Sequence, residues 1–190
     1  MSAASHVERS SDSRTEFSNF QNERRENDEN LRLLTLVTNE VLTGRSTKHA
    51  VVTALRVMCH GFGWIYGAYW TIDFERDTLK CIEDFGTAHD DFKDMTRAAS
   101  FAKGTGLPGR CWEKAELIFV ADVSELPSFP RLAAAKKSNI SSGLSFPVIG
   151  EHGVIGVMEF FVDRRIEISP SRLTTLQIAA RITAAVVGRL

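Results

Sequence analysis

The first third of the chain alternates apolar and polar residues at helical spacing. Between residues 28 and 44, apolar positions recur every three or four residues, which predicts an amphipathic helix that stops at Gly44. A second helix is predicted to start at Ser46 or Thr47, since both side chains are good N-caps, and to end at Gly61 and Gly63. The short gap between the two predicts a helical hairpin.

Five later segments carry strand signals. Residues 64–74 and 79–85 are rich in aromatic and β-branched side chains and flank a polar turn, which predicts an antiparallel pair. A short apolar run at 117–120 predicts a third strand. Residues 143–149 and 154–162 form a second predicted hairpin, because the glycines between them allow a tight turn.

Helical segments separate and follow these strands. Residues 89–98 and 131–137 predict short helices, and Ser169 followed by Pro170 predicts the start of a long helix that runs to Leu190. Hairpins near both ends of this order favour an α/β (α+β) fold in which an antiparallel sheet carries helices on both faces.

The length of 190 residues predicts one domain with a tail. Residues 1–28 are polar, with few large apolar side chains, and are therefore predicted to form a disordered leader. Residues 29–190 are predicted to form the domain, with a core at 46–168 and flanking helices at 29–44 and 169–190.

Charge and cysteine content narrow the function classes. The net charge of −1 leaves no broad basic surface, which argues against nucleic acid and anionic membrane surfaces as partners. No apolar run approaches the ~20 residues of a membrane span. Three widely spaced cysteines and the absence of a signal core predict a reducing, cytoplasmic setting.

Several motifs in order resemble a known family. They are residues 54–56, 62–64, Gly67-Ala68-Tyr69-Trp70, the glycine-rich stretch 104–112, 119–122, 127–131, 145–148 and 153–161. Together, over residues 46–190, these motifs resemble the GAF domain of bacterial sensor proteins. The resemblance implies a six-stranded antiparallel sheet, with a helical layer for dimerisation on one face and a small-molecule pocket on the other.

The resemblance also implies a position for the pocket and an output. The residues expected to line the pocket are Trp70, Phe85, Phe101, Leu107, Trp112, Phe119, Ser145 and Met158. Each of them could equally fill an ordinary core. Apolar residues recur at heptad spacing in the last helix. This spacing predicts a parallel homodimer in which the first and last helices form the interface, and an output module such as a histidine kinase could follow the last helix. The predicted interface residues are Leu34, Val41, Leu173, Leu176, Ala180 and Val187.

The glycine-rich stretch has a second interpretation. Gly104, Gly106 and Gly109 match the G-x-G-x-x-G spacing of a dinucleotide site. Such a site requires a buried strand before the motif, which residues 99–103 do not resemble, and Pro108 lies inside it. A glycine-containing turn that leads into a short helix is the favoured interpretation.

Three alternatives to a ligand-binding sensor without enzymatic activity stay open. The first is a cofactor sensor. A haem sensor could use His49, His60, His89 or His152 as an iron ligand, although none lies at a spacing that identifies a haem ligand. A bilin sensor could use the Cys59-His60 pair, although this pair lies before the predicted pocket elements. A GAF-type methionine sulfoxide reductase could use Cys81 and Cys111, although residues 122–139 contain no cysteine to resolve the intermediate. A dimerisation module without any ligand is the third. No cofactor is assigned.

Overall fold

The computed structural model describes the backbone of residues 4–42 and 46–187, and side chains from residue 17 to 39 and from 46 to 187. The helices are α1 (Ala4–Leu42), α2 (Thr47–Phe62), α3 (Asp90–Ala98), α4 (Gly106–Lys114), α5 (Leu132–Lys137) and α6 (Pro170–Val187). The strands are β1 (Tyr66–Asp73), β2 (Thr78–Gly86), β3 (Ser100–Phe101), β4 (Ile118–Val120), β5 (Ser142–Gly150) and β6 (Gly153–Val162). A short 3₁₀ turn (Val123–Glu125) lies between β4 and α5.

The six strands form one antiparallel sheet in the order β3-β2-β1-β6-β5-β4. The two predicted hairpins, β1–β2 and β5–β6, meet at its centre, where β1 pairs with β6. The predicted antiparallel fold is thereby confirmed. Strand β3 was not predicted, because its two residues are too few to produce a periodic signal.

The sheet carries a layer of helices on each face. Helices α1, α2 and α6 cover one face, where they pack on residues such as Tyr69, Met158 and Phe160. Helices α3, α4 and α5 cover the other face, where Trp70, Phe92 and Phe161 belong to a second apolar core. Because side chains alternate along a strand, neighbours in β1 and β6 belong to different cores.

Local sequence explains the ends of α2. The Ser46 side chain accepts a hydrogen bond from the backbone N–H of His49, as an N-cap does, and Gly63 ends the helix with a φ of 65°. Both ends agree with the predicted boundaries. Gly44, the predicted stop of the first helix, lies outside the described residues.

The structure differs from the predicted disordered leader over residues 4–28. Helix α1 begins at Ala4, so residues 4–28 are helical and continuous with the segment that packs on the domain. Adding a residue to an existing helix gains a hydrogen bond at a small entropic cost, so polar residues can extend it. Contacts with α6 also favour the helix, because Ser169 donates a hydrogen bond to Glu26 and Ser171 donates one to Asn27.

The glycine-rich stretch forms a turn that leads from β3 into α4. Gly106 has a φ of 63°, and a Cβ there would lie 2.8 Å from the ring of Phe101. A Cβ at Gly109 would lie 2.2 Å from the backbone oxygen of Ala102. The backbone N–H of Gly104 donates to the carbonyl of Gly109, so these glycines close a packed turn. This arrangement agrees with the favoured interpretation of the motif.

Three of the predicted interface residues of α6 lie inside the chain. Leu176, Ala180 and Val187 are buried in the core under α1, α2 and α6. Heptad positions that bind a partner also suit packing within a domain, so the assignment of these residues to a dimer interface stays a prediction. Leu34 and Leu173 are half-buried, and the side chain of Val41 is outside the described set.

Within residues 4–42 and 46–187, none of the helices combines the length and the apolar character that a membrane span requires.

Candidate functional site

Strand β6 carries a carboxylate into the interior. Glu159 lies between Met158 and Phe160 in an otherwise apolar strand, and its side chain is 0% exposed. Because strand residues alternate, Met158 and Phe160 point towards α2 and α6, whereas Glu159 points towards α3–α5. A buried carboxylate is costly unless a cation or hydrogen-bond donors surround it.

Arg131 is the partner of Glu159. It lies just before α5, at the end of the loop that follows β4, and is 1% exposed. Its Nη2 donates to both carboxylate oxygens of Glu159, at 2.7 and 2.8 Å, and its Nη1 donates to Oγ1 of Thr96 at 2.9 Å. The ion pair therefore connects α5 to the centre of the sheet, and the hydrogen bond connects it to α3.

Five aromatic rings enclose the guanidinium of Arg131. Its Cζ lies 5.2 to 5.5 Å from each ring centroid. The rings are those of Trp70, Phe92, Phe101, Phe129 and Phe161. Aromatic faces carry negative partial charge and attract a cation, and this attraction strengthens where water is excluded. We call Arg131, Glu159 and the five rings the arginine chamber.

Arg131 Nε is buried at the chamber without a hydrogen-bond partner among the described residues. Tyr66 OH, Trp70 Nε1 and Ser145 Oγ are also buried and make no well-aligned hydrogen bond, but each faces a polar neighbour: Thr96, Glu159 and Cys111, respectively. Ser145 lies opposite Glu159 in the β5–β6 register, and the Tyr66 ring contacts Phe92 at 5.4 Å. Unpartnered buried polar atoms are few in folded proteins, so Arg131 Nε is the position here that an additional acceptor would satisfy.

The electrostatics of the chamber are set by burial. Burial raises the pKa of Glu159 above its ordinary value, and the guanidinium of Arg131 opposes this rise. Burial also raises the pKa of Tyr66. The chamber therefore holds charge only as a compensated pair, and removal of one partner leaves the other charge buried alone.

The predicted lining residues divide between the two faces of the sheet. Trp70, Phe101, Leu107 and Trp112 belong to the core under α3–α5, and Ser145 points to the same side. Of these, Trp70 and Phe101 contact Arg131 directly. Phe85, Phe119 and Met158 pack with the core under α1, α2 and α6, so the structure does not place them at the chamber. Side chains alternate between the two faces along a strand, so Met158 lies on the face opposite that of its neighbour Glu159.

Two of the surface cavities lie near residues that the sequence singled out or beside α6. Phe85 lines a cavity of about 280 Å³ together with Cys59, His60 and Arg97. A groove of about 840 Å³ runs between α6 and the edge of β5, lined by residues such as Phe146, Ile149 and Ile178. Neither of them includes Arg131 or Glu159.

The candidate redox and haem residues are also placed by the structure. Burial raises the pKa of the Cys59, Cys81 and Cys111 thiols to about 12. Cys59 packs with the core under α2 and α6, whereas Cys111 lies in the core on the opposite face. Four histidines with described side chains, the predicted haem candidates, are exposed at the surface: His49, His60, His89 and His152.

Sequence reasoning missed both members of the ion pair. Glu159 offered a signal, because it is the one charged residue in the apolar run 154–162. A charge within a buried strand requires a buried partner. Arg131 offered no signal of its own, since an arginine after Pro130 in a polar loop looks like a surface residue.

The fold and the chamber define an α+β domain with one antiparallel sheet, an enclosed polar site on one face and the terminal helices on the other. The chain belongs to the GAF domain family, because the family model described as GAF domain matches residues 44–187.

Solved structures show the same fold. The GAF domain of a phosphoenolpyruvate-protein phosphotransferase from Coxiella burnetii is 16% identical, with a TM-score of 0.74, and the match covers 86% of this chain and 95% of that one. The free methionine-R-sulfoxide reductase of Neisseria meningitidis is 18% identical, with a TM-score of 0.70, and the match covers 84% of this chain and 90% of that one. A methyl-accepting chemotaxis protein fragment is 17% identical, with a TM-score of 0.62, and the match covers 80% of this chain and 95% of that one. A comparison with curated proteins gives no match.

Proposed function

We propose that this chain is a regulatory GAF domain without enzymatic activity, which responds to a small molecule at the arginine chamber and relays the change to its terminal helices. The observation that carries the proposal is the alternation along β6. Glu159 belongs to the chamber, while Met158 and Phe160 on either side of it pack with the core under α2 and α6. A shift of Glu159 therefore moves two side chains that support those helices.

Strand β1 supplies a second connection between the faces. Trp70 contacts Arg131 on the chamber side, and Tyr69 packs with the core on the helical side. The register between β1 and β2 shifts at these two residues, as in a β-bulge. Such irregularities interrupt the ladder and let one strand adjust locally without breaking the sheet.

The output is proposed to pass through α1 and α6 in a homodimer. The two helices are joined by hydrogen bonds, including one from Asn30 Nδ2 to Ser171 Oγ at 3.0 Å. Helix α1 exposes Phe17, Phe20 and Leu31, a surface that suits a second copy. A chemotaxis protein among the similar structures favours a signalling output, and a histidine kinase module is another candidate.

The cysteines favour a domain without enzymatic activity. One similar structure is a free methionine-R-sulfoxide reductase, so that reaction is a candidate activity to be weighed for this chain. Thiol attack requires the thiolate, and pKa values of about 12 leave very little thiolate at neutral pH. A thioredoxin-coupled assay with free methionine sulfoxide tests this part, and turnover abolished by Cys111→Ser would contradict it.

One observation favours a module without a ligand. Arg131 fills the chamber with a side chain of the protein itself, which would make the ion pair purely structural. This alternative predicts that no small molecule raises the melting temperature, because a ligand specific for the folded state stabilises it.

Hydrogen exchange tests the relay. Arg131→Met is compared with Val123→Ala, which removes buried apolar volume from the same core at the 3₁₀ turn after β4, outside β1, β6 and the five rings. We expect faster amide exchange in α1 and α6 for Arg131→Met than for Val123→Ala at matched global stability. Equal exchange of the two variants in these helices would refute the relay.

A further inference from the structure

The two charges of the chamber differ in their freedom to move. Glu159 lies in the middle of β6, which is hydrogen-bonded to β1 on one side and β5 on the other. Arg131 precedes a helix of six residues and follows a loop that contains Pro127 and Pro130. A ligand that enters the chamber therefore displaces the arginine much farther than the carboxylate, which moves only together with strand β6.

Helix α5 is also tethered to α3 at its C-terminal end. There Lys137 pairs with Asp91 of α3, and Oγ of Ser138 accepts a hydrogen bond from the backbone N–H of His89. Arg131 lies at the opposite end of the helix. A rotation of α5 about its C-terminal end would withdraw the guanidinium from the rings and from Thr96, while the contacts of Lys137 and Ser138 to α3 persist.

The charge balance selects the ligand. With Arg131 withdrawn, the chamber presents one buried carboxylate, faced by aromatic rings on β1, β3, α3, β6 and the loop before α5. An anion would add a second negative charge beside Glu159, and both would be buried without compensation. An organic cation would restore the ion pair and the ring contacts that Arg131 made.

We propose that the arginine chamber binds a small organic cation, a guanidinium or alkylammonium compound, which pairs with Glu159 in place of Arg131. The inference rests on the proposed function, since it names the ligand class of the same site. Arg131 is then an internal competitor that keeps the site closed until the cation reaches sufficient concentration.

The test measures binding of n-propylguanidinium, which matches the arginine side chain, by calorimetry and by two-dimensional NMR. Propylurea serves as the neutral isostere and n-pentanoate as the anion. The proteins are the wild type, Thr96→Val, Arg131→Ala and the double variant Arg131→Ala/Glu159→Gln. Thr96→Val removes the hydrogen bond to Nη1 of Arg131 and keeps Glu159 and all five rings.

n-Propylguanidinium in place of Arg131 would use the same Thr96 hydroxyl, so Thr96→Val removes one hydrogen bond from both competitors, and the affinity of this variant is expected to stay within about threefold of the wild type. In Arg131→Ala the affinity is expected to rise at least about tenfold over the wild type, because the competitor is gone. The double variant, which lacks both charges, is expected not to bind. If Arg131→Ala alone does not fold, Arg131→Met carries the comparison, because it also removes the competing cation.

Three results would overturn the inference: tighter binding of n-pentanoate than of the cation, equal binding of propylurea, or cation binding that persists in the double variant. Absence of cation binding to every folded variant would overturn it as well. The proposed function is judged separately, because the exchange of α1 and α6 in Arg131→Met requires no ligand. A relay without cation binding would therefore reject the ligand class alone.

Discussion

The buried ion pair can be tested by a double-mutant cycle. In Arg131→Met, Glu159 stays buried among aromatic rings without its partner, which typically costs about 3–5 kcal/mol. For a chain of this length, each kcal/mol lowers the melting temperature by about 2–4 °C, so we expect a decrease of about 10 °C. In Arg131→Met/Glu159→Leu both charges are absent and apolar side chains fill similar volumes. The double variant should therefore lie within about 1 kcal/mol of the wild type or above it.

The pH dependence of the stability of Arg131→Met is a second, independent test of the buried ion pair. Burial raises the pKa of Glu159 and Arg131 opposes the rise, so removing Arg131 raises this pKa further. A carboxyl group whose pKa is higher in the folded state binds more protons folded than unfolded, so stability falls as pH rises through that pKa. The deficit of Arg131→Met relative to wild type should therefore shrink as the pH is lowered from 8 towards the ordinary glutamate pKa of about 4.3.

Urea denaturation followed by fluorescence and circular dichroism, at pH 8, 6.5 and 5, measures all four members of the cycle. The effect of Glu159→Leu should depend strongly on whether Arg131 is present. If the two single effects simply add in the double variant, the pair contributes no coupling and the argument from buried charge is wrong. A deficit of Arg131→Met that is constant with pH would refute it as well.

Three further predictions follow from other parts of the structure. Gly106→Ala should lower the free energy of unfolding by about 2 kcal/mol, because an alanine would adopt a positive φ and contact the Phe101 ring at 2.8 Å; urea denaturation measures it, and an unchanged midpoint would contradict it. The three cysteines should react with a thiol reagent at pH 8 far more slowly in the native protein than in urea, since burial raises each pKa to about 12; comparable rates would contradict that burial. Phe17→Ser/Phe20→Ser should change the melting temperature by less than about 2 °C, because these side chains are 62% and 56% exposed. If α1 forms the dimer interface, the same double variant should dissociate at a higher protein concentration than the wild type in analytical sedimentation.

Much of the fold could be predicted from the sequence because its signals are local. The Ser46 cap, the Gly63 stop and the hairpin between β5 and β6 each depend on a few neighbouring residues, and each appears in the structure close to its predicted place. Helix α1 could not be predicted to begin at Ala4, because its N-terminal half contains few apolar residues and part of its support comes from α6, more than 140 positions away along the chain.

The site was less predictable for a related reason. Trp70 and Phe101 could be identified from the family resemblance, and both contact the guanidinium of Arg131. The ion pair itself joins Arg131 and Glu159, which are 28 positions apart, across a fold that must exist before they meet. Aromatic residues in general predict burial, whereas the face on which Phe85 and Phe119 lie depends on register and on bulges.

The length of α1 gives it a mechanical property. The helix rises about 1.5 Å per residue, so Phe17 lies about 20 Å along the axis from Asn30, where α1 contacts α6. A tilt of about 10° about Asn30 would displace the axis at Phe17 by about 3.5 Å, far more than the movement at the pivot itself. Helix α1 can therefore act as a lever that converts a small angular change at the domain into a larger displacement at its far end.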